Sequence, residues 1–508
     1  MGSCPIPKLF SILAIFCFFI LADCQALEPA SSPKETTADN QKKKSKDAIQ
    51  AQEARFFAAE YVKQKEKVGK PAVSKKTDPV WGSIRGKKLD SSRPLSLAEL
   101  VDIAMSNNPT TRQSWYNLSA AVAQEKQAKS ALYPSVTASG DITDEKTSAT
   151  GLVSSTRFMH YGPSLKLNYL LFDFGGRSGS IEQAIEIAQA ANFQYNQSIQ
   201  DLLLAVERSY YQLYSAQAAE DAAELDVDTS RKDLDAAQKR FDAGLVPKLD
   251  VYQAQSDYSD SLYGLETAKS QNKSAKAVLA QTLGFPADTK FEIANPKEDV
   301  PEGILSESVS RLIEEAIVQR PDLSSARANY FAGKAAVKAA TSNLWPTFSL
   351  GGSAGKDWYD YRADPDIKKH DFGYTGFLTV SWDIFDGFFN LNKKRQAQAE
   401  FDAAREGLTQ AELQASADVW IKYYNFSSAV SKLKFSKSFY ESANASYELA
   451  LESYMAGTRS MLDLIQSQNQ LSDARSKLIQ SKQDIFIALA ELTYATGSMT
   501  ANNKGETK

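Results

Sequence analysis

The feature that most constrains the fold is a repeat, because a unit of about 210 residues occurs twice in the 508-residue chain. Asp463 follows Asp250 by 213 positions, and Gly457 follows Gly244 by the same interval. The same offset relates three further pairs, Ala243 and Ala456, Leu249 and Leu462, and Gln255 and Gln468. Since repeated units fold alike, each element predicted in one half is expected to have a counterpart in the other.

Each unit contains a long helical hairpin. Residues 180–243 include no Gly or Pro, and as one α-helix they would be on the order of 95 Å long. Apolar residues at alternating three- and four-residue spacings predict coiled-coil packing along this helix. An antiparallel helix over residues 249–283 follows the turn at Gly244, and residues 392–494 repeat the hairpin around Gly457.

Each unit also carries a strand of alternating polarity before its long helix. Leu165, Leu167 and Tyr169 alternate with Lys166 and Asn168. In the second unit the apolar positions are Leu378, Val380, Trp382 and Ile384, and the polar ones are Thr379, Ser381 and Asp383. A second, shorter alternation precedes each of these strands, so four amphipathic strands are predicted in the chain.

These strands predict a membrane assembly. Residues 164–173 match the roughly 9 to 11 residues that a tilted membrane-spanning strand needs. Four strands cannot close a barrel, and open sheet edges in lipid leave backbone groups unsatisfied at several kcal/mol each. The chain is therefore expected to assemble with copies of itself. Eight strands would make a barrel filled by side chains, whereas twelve or more would leave an aqueous lumen. The polar residues expected to line that lumen are Lys166, Asn168, Thr379, Ser381 and Asp383.

The N-terminal segment predicts export. Lys8 precedes an apolar run over residues 9–22 that is too short to span a bilayer and long enough for a signal-peptide core. Residues 1–26 are therefore interpreted as a signal peptide. The cleavage point stays open between ordinary cleavage and lipidation of Cys24, which Asp23 disfavours. All three cysteines lie in this segment, so the mature chain is expected to lack disulfides and thiolate metal sites.

The repeat divides the remaining chain. Residues 27–92 are rich in Lys, Ala, Gln and Glu and predict a solvated extension. The first repeat is assigned to residues 93–290 and the second to 305–497, with a linker at 291–304 and a tail at 498–508.

The sequence offers no pattern typical of an enzyme. His160 and His370 are the only histidines, and neither has a catalytic or metal-binding spacing around it. A net charge of -4 over this length argues against nucleic acid as the principal partner. We therefore predict neither an enzymatic activity nor a cofactor.

Taken in order and in duplicate, these elements resemble the TolC family of outer-membrane efflux proteins over about residues 95–497. The resemblance rests on the Asn-Asn-Pro and Gln-Arg-Pro junctions at 107–109 and 319–321, and on the Ala-Gly-Thr-Arg turn at 456–459. The strand entries Leu-Tyr-Pro and Leu-Trp-Pro add to it.

The resemblance implies an α+β membrane protein with internal structural duplication. Its long antiparallel helical hairpins would form an α-barrel across the periplasm, and its four strands would join a trimeric transmembrane β-barrel in outer-membrane lipid. It further implies a homotrimeric channel of a tripartite efflux pump or a type I secretion system, which exports small molecules or proteins. A periplasmic adaptor protein and an inner-membrane pump are the implied partners.

The resemblance also implies a periplasmic gate at the tip of the second hairpin. The residues that match the family's constriction are Tyr454, Arg459 and Asp463, and Asp250 on the first hairpin is the expected partner of Arg459. An Arg guanidinium suits a carboxylate geometrically. Gln466 stands where the family has a second carboxylate, so a single anionic ring is expected. The hairpin-turn residues expected to meet the adaptor are Gly244, Leu245, Gly457 and Thr458.

Two other classes of protein explain part of the sequence. An exported structural coiled-coil protein would account for the helices but leaves the amphipathic strands without a role, and solubility without detergent would favour it. A surface agglutination or adhesion factor would use residues 141–162 and 352–373, which the sequence predicts to be long polar loops. The channel interpretation uses both the helices and the strands.

Overall fold

The computed structural model describes residues 93–146, 157–296, 308–361 and 368–499. The predicted signal peptide with Cys24 and the predicted N-terminal extension lie outside these ranges. The described part of the first half forms α1 (Leu97–Asn107), α2 (Pro109–Ser130), β1 (Ser135–Lys146), β2 (Arg157–Phe172), α3 (Gly176–Asp242) and α4 (Lys248–Thr282). The second half forms α5 (Val309–Gln319), α6 (Pro321–Ser342), β3 (Thr347–Tyr361), β4 (Lys368–Ser381), α7 (Phe389–Met455) and α8 (Met461–Ala495).

The helices of the two halves correspond in length. Counted in order, they have 11, 22, 67 and 35 residues in each half. The long hairpins expected from the sequence are therefore present, although α3 begins at Gly176 rather than near Ser180. Within the ranges described, no helix is long and apolar enough to cross a membrane.

Local signals set the helix ends. Ser96 and Glu99 form the capping box that their spacing predicts, so the first free amides of α1 have acceptors. Both hairpin turns are closed by glycines in the left-handed conformation, Gly244 with φ +73° and Gly457 with φ +79°. Glycine adopts this conformation without a steric penalty, and so it ends each long helix cleanly.

The four strands form one antiparallel sheet in the order β1-β2-β3-β4. Its register places most polar residues on one face and most apolar residues on the other, with Phe377 as an exception on the polar face. Lys166 lies opposite Thr137 of β1 and Ser353 of β3, whereas Leu167 lies opposite Val136 and Gly352. By the same alternation, the polar face also carries Asn168, Thr379 and Ser381.

The strands are longer than predicted, and the two expected loops are largely sheet. β1 continues to Lys146 and β2 begins at Arg157, so only residues 147–156 separate them, outside the described ranges. β3 and β4 shorten the second expected loop in the same way. Antiparallel pairing satisfies the backbone hydrogen-bonding groups of a strand whatever its side-chain pattern. Cross-strand contacts also stabilise the polar ends of these strands, as where Arg157 Nε donates to Asp144 Oδ1 at 3.0 Å.

Three residues predicted for the last strand, Trp382, Asp383 and Ile384, lie beyond its end. β4 ends at Ser381, which pairs with Thr347, the first residue of β3. Because the partner strand begins there, no ladder remains for Asp383, which lies in the connection to α7. Trp382 donates from its indole nitrogen to the Leu344 carbonyl at 3.2 Å, which fixes this turn away from the sheet.

A buried arginine joins three helices of the second half, α6, α7 and α8. Arg320, 8% exposed, precedes α6 and bonds Asp322 at 2.7 Å, Asp418 of α7 at 3.3 Å and the Ala495 carbonyl of α8 at 3.4 Å. Removing Arg320 would leave the two carboxylates, each about a third exposed, without their cation. The expected cost therefore lies between that of an exposed pair, about 0 to 1 kcal/mol, and that of a buried pair, about 3 to 5 kcal/mol.

We therefore expect Arg320→Ala to lower the thermal unfolding midpoint of the detergent-solubilised protein markedly. Arg405→Ala is the matched control, because Arg405 forms only exposed pairs with Asp402 and Glu406, worth about 0 to 1 kcal/mol. Equal shifts for the two variants, measured by circular dichroism, would argue against Arg320 as the junction of these helices.

Candidate functional site at the hairpin tips

The tips of the two hairpins share one apolar cluster. Tyr454 of α7 and Met461 of α8 are each 1% exposed, and Leu464 is fully buried. They belong to the same cluster as Ala237 of α3 and Ala254 of α4. All four long helices therefore meet at the position where the sequence predicted a constriction.

Tyr454 lies between charged groups of the first hairpin. The guanidinium carbon of Arg240 is 4.6 Å from the centre of the Tyr454 ring, a cation-π contact. The Tyr454 hydroxyl makes no hydrogen bond within the described residues. Burial raises the pKa of Tyr454, and the nearby Asp250 carboxylate adds to the rise. This aromatic side chain is thus held by packing and by two charges of opposite sign.

Arg240 is the tip residue that the sequence reasoning missed. Its counterpart in the second repeat, 213 positions later, is Ser453, so the repeat gives it no signal. The glycine at position 457 leaves room for the Arg240 side chain, because a Cβ at that position would lie 3.1 Å from Arg240 Nη2. The useful signal is its spacing of seven residues from Asp233, which marks the same helix face.

The predicted gate residues beyond Tyr454 have different roles within one chain. Asp463 forms a capping box with Ser460, accepting from its backbone nitrogen at 3.2 Å and its hydroxyl at 2.8 Å. Hydrogen bonds from Ser460, with a smaller effect of the Arg459 charge, hold the pKa of Asp463 below its usual value. Arg459 and Gln466 are exposed. Asp250 interacts with Tyr454, and pairing of Arg459 with Asp250 stays a prediction for the assembled protein.

The residues of the two hairpin turns are exposed to solvent. No atom lies within 4 Å of a Cβ built at Gly244, and Leu245 beside it is exposed. In the second turn Thr458 is exposed, and its hydroxyl donates to the Ser453 carbonyl at 3.0 Å. These ends of the hairpins are thus accessible in the single chain.

The sheet forms the second part of the candidate site. Its apolar face is open in one chain: Tyr374 is 83% exposed and Leu378 63% exposed. Tyr161 and Trp358 stack on this face with ring centres 5.9 Å apart, near the hairpin ends of their strands. Aromatic residues of this kind are enriched at membrane interfaces. On the polar face lie the predicted residues Lys166, Asn168, Thr379 and Ser381, and Asp383 lies outside the sheet.

No metal centre competes with this interpretation in the described ranges, where no group of three or more His, Cys, Asp or Glu is placed to hold an ion. The candidate site is therefore an arrangement of surfaces and packing contacts.

Comparisons with known proteins agree with this fold. The family model for outer membrane efflux proteins matches residues 100–285 and again residues 312–498. Protein CyaE of Bordetella pertussis is 27% identical over 409 residues, which cover 80% of this chain and 84% of that protein. Outer membrane protein TolC of Escherichia coli is 24% identical over 425 residues, covering 80% and 83%.

A solved structure supports the fold in particular. The outer-membrane channel OprN superimposes with a TM-score of 0.70 at 21% identity, covering 85% of this chain and 98% of that one. The two family-model matches together cover more than half of this chain, and they confirm the resemblance stated from its motifs. The chain belongs to the family of outer membrane efflux proteins, and its location is the outer membrane.

Proposed function

We propose that this chain is the channel through which a tripartite efflux pump or a type I secretion system releases its cargo, small molecules or proteins, across the outer membrane. It acts as a homotrimer, with no enzymatic step and no cofactor. The long hairpins extend the channel into the periplasm, where they meet a periplasmic adaptor protein and an inner-membrane pump.

The four-stranded sheet is the observation that carries this proposal. One of its faces is apolar and exposed in the single chain, and the other is polar. Among the described residues, each of its two outer strands, β1 and β4, pairs with one strand only. In lipid such edges require partners, because each unsatisfied backbone group costs several kcal/mol. Joining β4 of one copy to β1 of the next satisfies both edges and gives about twelve strands for three copies.

The sheet faces then divide between lipid and water. The apolar face, with Leu378 and Tyr374, contacts outer-membrane lipid, and the polar face lines the lumen. Its lumen residues are Lys166, Asn168, Thr379 and Ser381. A structural coiled-coil protein would have no use for an exposed apolar sheet face, which favours the channel.

The hairpin tips form the periplasmic gate in this proposal. Tyr454 closes the inner side of each tip, Asp463 supplies one anionic ring, and Arg459 pairs with Asp250 in the closed trimer. The turns at Gly244, Leu245, Gly457 and Thr458 are the surface for the adaptor. Residues 1–26 act as the signal peptide, the two repeats extend over 93–290 and 305–497, and the remaining segments are connections or tails.

Deletion of the gene in the native bacterium tests the function. The deletion strain is expected to accumulate a fluorescent efflux dye or to retain a secreted protein, and expression of the intact chain should reverse the defect. Which of the two cargoes is affected identifies the export system. Normal dye accumulation together with normal secretion in the deletion strain would refute the proposed role.

A further inference from the structure

Polar side chains recur every seventh residue inside the packed tips. On α3 they are Asp226, Asp233 and Arg240, and on α7 they are Tyr447 and Tyr454. At the same interval α4 contributes Asp250 and Asp257, and α8 contributes Gln468 and Arg475. A seven-residue step returns a helix to nearly the same face, so these residues form three polar layers across the core of the four helices.

The two outer layers each contain a cation as well as a carboxylate. In the layer nearest the turns, Arg240 stacks on Tyr454, whose hydroxyl side faces Asp250. In the layer farthest from the turns, Arg475 Nη1 is 2.5 Å from Asp226 Oδ1, and Ser472 donates to the other oxygen at 2.6 Å. Asp226 is therefore paired with a positive charge, and the layer of Asp250 contains the positive charge of Arg240.

The middle layer contains acids without a cation. Asp233 is 1% exposed, and Tyr447 donates its hydroxyl to Asp233 Oδ1 at 3.0 Å. The second oxygen of Asp233 has no partner within the described residues, and the same holds for Asp257 Oδ2 and Gln468 Oε1. Lys232 adjoins Asp233 in sequence but is exposed and pairs with Asp228. The layer thus has more buried acceptor oxygens than donors directed at them.

We propose that Asp233 is a proton-binding site that stabilises the closed packing of the hairpin tips when it is protonated and loosens that packing when it ionises. A proton on Asp233 supplies one further donor to the unpartnered acceptors of this layer and removes a buried negative charge from the side of Asp257. The proposal rests on the channel function proposed above, because it assigns a regulator to the gate of that channel.

The electrostatics of the layer agree with this assignment. Burial raises the pKa of Asp233 to about 7, the Tyr447 hydrogen bond opposes the rise, and the Asp257 charge adds to it. Burial likewise raises the pKa of Asp257. The charged and titratable groups that act on Asp233 are Asp257 from α4, Tyr447 and Tyr454 from α7, and the exposed Lys232 of α3, whose charge opposes the rise. Arg475 of α8 acts on Tyr447.

The sign of the pH effect follows from linkage. In separated, hydrated tips the carboxyl returns toward its ordinary pKa of 3.8, so the closed state binds the proton more tightly than the open state. Acidification therefore favours closure, and raising the pH through about 7 favours opening. Between about pH 6 and 8 the open-to-closed ratio is expected to rise about tenfold for each chain.

Single-channel recording of the full protein in planar bilayers from pH 5.5 to 8.5 tests the proposal. The wild type should open more often as the pH rises, and Asp233→Asn, which mimics the protonated acid, should stay mostly closed throughout. Asp235→Asn is the matched control, because Asp235 is exposed on the same helix and pairs with Lys239. It should keep the wild-type response.

A second variant keeps the test decisive if Asp233→Asn folds poorly. Tyr447→Phe removes the hydrogen bond that lowers the Asp233 pKa, so the pH midpoint of opening should move upward. A conducting channel in which both variants keep the wild-type pH response would overturn the assignment of Asp233 and leave the channel function intact. A wild-type protein that forms no conducting channel would instead contradict the proposed function itself.

Discussion

Replacing Tyr454 with alanine is expected to raise the single-channel conductance of the protein severalfold. The side chain is 1% exposed at the centre of the cluster that joins the two tips, and Arg240 stacks on its ring. Truncating a buried aromatic residue to alanine costs about 3 to 5 kcal/mol. Because the lost contacts hold one hairpin against the other, the closed arrangement loses stability relative to the open one.

The expected rise in conductance differs between the predicted gate residues. Arg459 is exposed, and an exposed ion pair contributes about 0 to 1 kcal/mol, so Arg459→Ala should raise the conductance less than Tyr454→Ala. Tyr454→Phe is the control, because the lost hydroxyl has no hydrogen-bond partner within the described residues. It should behave nearly as the wild type. Unchanged conductance in Tyr454→Ala would show that the tips do not limit the current.

Placing a charge on the apolar sheet face is expected to prevent stable insertion into the membrane. Leu378 lies within β4, 63% exposed, on the face assigned to lipid. An arginine facing lipid at the bilayer midplane costs about 2 to 4 kcal/mol, and a trimer would carry three of them. We therefore expect little Leu378→Arg protein in the outer-membrane fraction of cells that express it.

The adjacent residue offers a control on the opposite face of the same strand. Thr379 lies on the polar face, opposite Ser349 of β3, so Thr379→Arg should insert normally. A ring of added positive charge in the lumen should then shift ion selectivity toward anions, which reversal potentials in a salt gradient measure. If the two variants insert equally well, the assignment of the faces to lipid and water is wrong.

Sequence patterns predicted the helices better than the strands for a physical reason. A long helix satisfies its own backbone, so the absence of Gly and Pro from residues 180–243 and the glycine that follows suffice to predict most of α3 and the turn at Gly244, although the helix begins earlier, at Gly176. A strand depends on its neighbour. β1 extends to Lys146 because β2 pairs with it, although the residues there have no amphipathic pattern.

Some residues of the candidate site could likewise be predicted from the sequence, and others could not. Tyr454 and Asp250 were found through the repeat and the family resemblance, which both act along the sequence. Arg240 and the middle polar layer are contacts between hairpins far apart in the chain, such as that of Tyr447 with Asp233. The seven-residue spacing within one repeat indicates a shared helix face, but it does not encode these contacts, because the pairing arises only when the four helices pack.

The central claim is that copies of this chain join the open edges β1 and β4 to enclose a pore, and disulfide trapping tests it most directly. The chain has no cysteine after Cys24, so introduced pairs have little background once Cys24 is replaced by serine. Ala138→Cys on β1 would be combined in turn with cysteine at Gly376, Leu378 or Val380 on β4, and the membranes would be oxidised. The account predicts covalent dimers and trimers and nothing larger, with single-cysteine variants remaining monomers. Monomers from every pair, or a ladder beyond three chains, would contradict it.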